Sequence, residues 1–218
     1  MKTFYAWHFT ADKLRDGSPL SKIGVWEHYE GKLELCAAGL DWSRDPFDAL
    51  QHAPGANLRR VEIKGDFLEC GEKGCSHYRR AVYQTDATEL LRYFSRTQAL
   101  SVINLYPNGT DDVVFDYLMT GETHLRDAAR AAALAAAGAA TGDAAQAAAG
   151  AAAWSASRAA VWSAAWAAAW DSARAAARAA GAAGAAGASA WDSAWDFARA
   201  AARKDFNKLV RELNDDCN

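Results

Sequence analysis

Residues 128–202 hold 43 alanines in 75 positions, whereas residues 1–127 hold 10. Alanine gives up no side-chain rotamer freedom on entering a helix, so a stretch this dense in it is helical in almost any context. The chain therefore divides by composition near Asp127. An α+β fold is expected: a small mixed β-sheet domain with helices over residues 1–127, followed by an alanine-rich antiparallel helical module over residues 128–218.

Breaks within the alanine-rich part are marked by Gly138 with Thr141-Gly142-Asp143, and by the run from Gly181 to Ser189. They predict three helices, at about 122–137, 143–180 and 189–213. Gly150 is a candidate interruption of the middle one, which would otherwise be about 55 Å long. At the end of the chain Phe206, Leu209, Val210 and Leu213 follow i, i+3, i+4, i+7 and predict a buried stripe.

Trp154, Arg158, Trp162, Trp166, Trp170, Arg174 and Arg178 recur every fourth residue, and Trp191, Trp195, Arg199 and Arg203 repeat the pattern. A step of four overshoots a helical turn by roughly 40°, so six steps carry the stripe roughly 240° around the axis. Neither one flat core face nor a left-handed coiled coil follows that path. The tryptophans either fill seams on several sides of a helix or stay available to a partner. Trp154, Trp162, Trp166, Trp170, Arg174, Trp191 and Trp195 are the candidate partner-binding residues, since Trp and Arg dominate interface energetics. Slippage of a short repeat would produce the same period.

Charge excludes more than it suggests. The formal net charge is −3 and no segment is strongly basic, so a nucleic-acid partner is not expected. Arg158, Asp171, Arg174, Arg178, Asp192, Asp196 and Arg199 interrupt the alanine-rich stretch, so no membrane span is expected. The opening MKTFYAWHFT lacks a signal-peptide pattern, and a cytoplasmic location follows as the expectation.

Within residues 1–127, KTFYAWHF reads as a first strand, and Val25–Tyr29 with Lys32–Cys36 reads as a hairpin about Glu30-Gly31. Asp45 followed by Pro46 predicts a short capped helix ending near His52. Residues 57–68 and 77–84 read as two further strands. Two helices are predicted next, one over residues 87–105 started by Asp86 or Thr88, and one starting at Thr110-Asp111-Asp112 and stopping before Gly121.

The chain carries no Walker loop, GxGxxG, GxSxG, HExxH or EF-hand spacing. Cys70, Cys75 and His77 could supply three zinc ligands, with His52 or Cys36 as a fourth, but Gly71 and Gly74 explain the same segment as a turn. No metal and no cofactor are expected. His8, Asp41, Arg44 and His52 form a possible ligand cleft.

The segment from Cys36-Ala-Ala-Gly-Leu40 to Phe47-Asp-Ala-Leu50, with FYAWHF, LRRVEIKGD and LSVINLY, resembles an uncharacterised domain family of bacteriophages and prophages whose members often carry Ala/Trp/Arg/Asp-rich helical tails. The resemblance covers most of residues 1–127. It implies Gly-Leu-His or Gly-Phe-His after the cysteine, where this chain has Gly39-Leu40-Asp41, so any chemistry of that histidine would be lost or altered here. The same order of elements is similar, at fold level, to ADP-ribosyltransferase-like domains, but His52 stands near the expected place without a complete catalytic set.

These readings lead to a non-enzymatic, phage-encoded accessory protein that binds a host or phage protein and opposes a host defence factor. The alternatives are a nucleotide-binding or ADP-ribosyltransferase-like enzyme in residues 1–85, and a structural, homo-oligomeric role.

Overall fold

The computed structural model describes residues 3–13, 17–107, 112–157, 160–183 and 188–215. It is an α+β protein with a helical C-terminal part. Its strands are β1 (Thr3–Thr10), β2 (Trp26–His28), β3 (Leu40–Trp42), β4 (Asn57–Cys70) and β5 (Lys73–Asp86). Its α-helices are α1 (Pro46–Gln51), α2 (Thr88–Leu100), α3 (Asp112–Thr120), α4 (Arg126–Ala139), α5 (Asp143–Ser155), α6 (Val161–Ala183) and α7 (Ala188–Asp215). Two compact units divide at Thr88/Glu89, so the compositional border at Asp127 falls inside the second unit.

In the first unit the sheet runs β1-β4-β5-β2, with β3 also paired to β5, and each of these pairings is antiparallel. The β4–β5 hairpin is longer than the sequence suggested. Cys70 pairs with Lys73 across a two-residue loop that Gly71 opens at φ 59°, the left-handed region glycine enters without steric cost. The expected hairpin of residues 25–29 with 32–36 does not form. Residues 26–28 pair instead with the edge of β5, and residues 34–38 close into a tight turn with Cys36 at φ 67°. The Glu34–Ala38 turn takes residues 34–36 out of an extended conformation, so they cannot pair with β2. Strand β3 was missed, because Leu40-Asp41-Trp42 is too short to show alternation.

Helix α1 forms as predicted, with the Asp45 carboxylate accepting the Phe47 N–H at 3.0 Å and Pro46 in the first turn. It buries Phe47 and Leu50 and packs on β1. Ala6, Val61 and Ile63 on the sheet, with Trp42 and Phe4, make a core on one face.

In the second unit α5 is the hub, in contact with α3, α4 and α6. Between Ala147 and Ser155 every α5 residue except Gly150 and Trp154 is buried, as expected of a helix that is apolar all round. Alanine serves here because its small side chain lets neighbouring helices come close. The Tyr117 hydroxyl donates to the Ser155 carbonyl at 2.9 Å, tying α3 to the end of α5. Phe206 of α7 is fully buried against Phe94 of α2, ring centroids 4.9 Å apart, so the predicted C-terminal stripe is occupied inside this unit.

The single helix expected over 143–180 is two helices, α5 and α6, separated at residues 156–160. Gly150 is not the interruption. A Cβ there would lie 2.8 Å from Oδ2 of Asp171, so glycine is where α5 approaches the buried carboxylate of α6. Gly150→Ala gains about 1 kcal/mol of helix propensity. It is nonetheless expected to be destabilising by about 1–2 kcal/mol, because Asp171 must leave its partners. Urea titration checks this, and in an Asp171→Ala background the same substitution should become stabilising.

Candidate functional site

Strand alternation puts His8, Arg59 and Gln84 in one cross-strand row and Glu27, Arg79 and Ile63 in another, both on the face that carries Ala6 and Val61. Arg79 donates Nε to Glu27 Oε2 at 2.8 Å and Nη1 to the Asp41 carbonyl. Arg59 gives Nε to Gln84 at 2.7 Å and Nη2 to the Ser21 carbonyl at 2.7 Å, while its Nη1 stands 3.8 Å from Glu27. Both guanidinium groups are buried. Their donors are committed, so the cluster clamps the Ser21 loop and β3 onto the sheet.

Electrostatics mark the same region. Burial, then Arg79, Arg59 and Lys73, hold the partly buried His8 well below the ordinary value of 6.5, which keeps it neutral at pH 7. Burial alone would raise Glu27, but Arg79, the Ser21 hydroxyl and Arg59 together outweigh it and leave the carboxyl below its usual 4.5.

Of the residues of the predicted cleft, Asp41 is paired with Lys73, whose Nζ lies 3.8 Å from Oδ1, and the Lys73 charge helps lower the pKa of both His8 and His52. Arg44 turns away. Its guanidinium sits 3.7 Å from the Phe4 ring centroid and forms a bidentate pair with Glu69 at 2.9 and 3.0 Å, capping the aromatic group of Phe4, Trp42 and Phe67. Glu27, Arg59, Lys73 and Arg79 were not read as site residues from the sequence.

Cys70, Cys75 and His77 do not converge. Cys70 is exposed at the hairpin end, Cys75 is buried, and His77 Nδ1 lies 2.7 Å from the Tyr29 carbonyl. Among the described residues no three His, Cys, Asp or Glu side chains form a metal-binding group.

No protein family, curated protein or solved structure matches the chain.

On the helical unit the tryptophan stripes meet. Trp170 of α6 lies 6.1 Å from Trp166 and makes an edge contact with Trp195 of α7 at 4.5 Å. Beside it Trp154 of α5 hydrogen-bonds the Asp171 carboxylate, which Arg174 also holds at 2.7 Å. Burial pushes the Asp171 carboxyl up against the pull of Arg174 and Trp154. Trp170 and Trp154 keep 44% and 40% of their surface in solvent, so neither ring is fully covered by its own fold. Trp162 is half-buried on α6, and the Trp191 side chain lies outside the described residues. Among the described residues no helix is long and apolar enough to cross a membrane.

Proposed function

We propose that the chain is a protein-binding module whose partner seats on the α5–α6–α7 surface made by Trp154, Trp166, Trp170, Arg174 and Trp195. The observation that carries this reading is the contact of Trp170 with Trp166 and Trp195, together with its 44% exposure. A rigid, preassembled indole group costs little entropy to bury, and Trp and Arg are the side chains that most often anchor interfaces. The resemblance to phage-borne domains puts the partner, in this proposal, in a bacterial host or its phage.

The test retains protein from bacterial lysate on the intact chain and compares it with Trp170→Ala, Trp154→Ala and Phe197→Ala. Phe197 is 79% exposed and serves as a control for generic stickiness. A specific partner should bind at least about 30-fold more weakly to each Trp variant, the level of an interface hot spot of about 2 kcal/mol, and unchanged to Phe197→Ala. Equal retention by all four chains, with unchanged circular dichroism, would sink the reading.

A further inference from the structure

The opposite face of the first unit's sheet carries a different pattern from the Glu27 clamp. Tyr5, Glu62, Arg80 and Trp26 stand in one row across all four strands, and Thr3, Lys64, Tyr78 and His28 stand in the next. Two residues separate the rows along each strand, a spacing of about 6.6 Å. Rings and cations are interleaved in both directions. The Arg80 guanidinium lies 4.7 Å from the Trp26 ring and Lys64 Nζ 5.4 Å from it, while His28 stacks on Tyr78 at 4.3 Å with 7° between planes. Arg60, one row further along β4, lies 4.7 Å from the Tyr5 ring, which is itself 55% exposed.

Carboxylates offset the charge on this face only in part: Glu30 Oε1 stands 3.9 Å from His28 Nδ1. Glu62 is buried, and its carboxylate is consumed by Arg80 at 2.6 Å. Among the described residues no carboxylate forms an ion pair with Arg60 or Lys64. Two cations are therefore presented beside flat rings on an open sheet, although the chain as a whole is slightly acidic. Net charge, which argued against a polyanionic partner, averages over surfaces that the partner never meets.

We infer that this face binds single-stranded nucleic acid. Bases stack on Tyr5 and along the Trp26 and His28–Tyr78 edge, while Arg60 and Lys64 take the phosphates between them. A strand with unpaired bases offers both anionic charge and free aromatic faces, whereas an acidic peptide offers only the charge and a duplex hides its base faces. The inference concerns the first unit alone and does not depend on the tryptophan surface of the second.

Fluorescence anisotropy of labelled oligo-dT and oligo-U twelve-mers with the full chain provides the test. Saturable binding is expected at 50 mM salt, weakening about sevenfold by 200 mM, because two neutralised phosphates give a logarithmic slope of about −1.4. Tyr5→Ala and Trp26→Ala should each lower affinity by about fivefold or more. Lys64→Gln or Arg60→Gln should reduce the slope by about 0.7, and Arg44→Gln, on the other face, should change nothing. Circular dichroism of each variant establishes that it is folded. The inference is overturned by absence of saturable binding at 50 mM salt, by equal affinity for the corresponding duplex, by equal competition from polyglutamate, or by ring variants that bind like the parent.

Discussion

Gly74→Ala is expected to destabilise the first unit by about 3 kcal/mol, the upper end of what overpacking a filled core costs. Gly74 pairs with Trp42 across β3 and β5, and the indole lies against it. A Cβ at residue 74 would meet three atoms of the Trp42 six-membered ring at 2.3, 2.4 and 2.6 Å. The ring has nowhere to go. Trp42 is 2% exposed and is held edge-on by Phe4 at 5.0 Å and Phe67 at 5.8 Å, with Arg44 closing the outer side. The melting temperature of the full chain's first transition should fall by more than about 10 °C, and Trp fluorescence should report an altered indole environment. Trp42→Phe alone should also destabilise, by removing buried indole surface. The double variant should be more stable than the two separate losses predict, because the smaller ring vacates the space the new methyl needs. Simple additivity would mean that the two positions do not compete for one volume.

The legibility of this chain in its sequence follows from the range of the interactions involved. Alanine density and the Asp45-Pro46 cap are local signals, and the helices they announce are present. Local signals also located the helix break near residue 140; the one expected near residue 185 lies outside the described residues. They failed at residues 156–160, where the chain contains no proline or glycine to mark the end of α5. Nothing local to the sequence announces that break. The candidate site was harder for the same reason. Arg59-Arg60 and Arg79-Arg80 are the signal that could have revealed it, since in paired strands each tandem pair sends one guanidinium to each face. Once the β4–β5 register is known, the inward members meet at Glu27 and the outward members meet the Tyr5 and Trp26 rings. Asp41 is among the cleft residues read from the sequence, but its partner Lys73 belongs to a strand where the sequence suggests a turn. On the helices the break at residues 156–160 puts Trp154 on α5 and Trp162, Trp166 and Trp170 on α6, so the drift read along one continuous helix does not apply, and Trp170 meets Trp195 of α7.

Removing the negative charge at the centre of the clamp should produce the second large effect. Glu27→Gln keeps the side chain's size but leaves Arg59 and Arg79, 3% and 5% exposed, without their shared anion. Deleting one member of a buried ion pair costs about 3–5 kcal/mol, since the remaining charges lose their compensation and keep their desolvation. The deficit must depend on pH in a stated direction. Glu27 has a depressed pKa in the folded state, so its contribution is complete above the ordinary value of 4.5 and disappears as pH falls through the folded-state value. The parent and the variant should therefore differ fully at pH 7 and converge in strong acid. His8 adds an earlier step with the same sign. Its folded-state pKa lies well below 6.5, so between those two values the unfolded chain binds a proton that the folded chain refuses, and stability drops as the medium is acidified. His52, also held below 6.5 by burial and Lys73, acts in the same window, so His8→Gln should reduce that first decline and His8→Gln with His52→Gln should flatten it, leaving the Glu27 step in place. Urea midpoints measured at pH 7.5, 5.5, 4 and 3 separate the two groups. A Glu27→Gln deficit that stays constant down to pH 3 would show that the loss comes from packing and not from charge. A parent curve that is flat from pH 7.5 to 5.5 would remove both His8 and His52 from the account, and a decline unchanged by His8→Gln would remove His8.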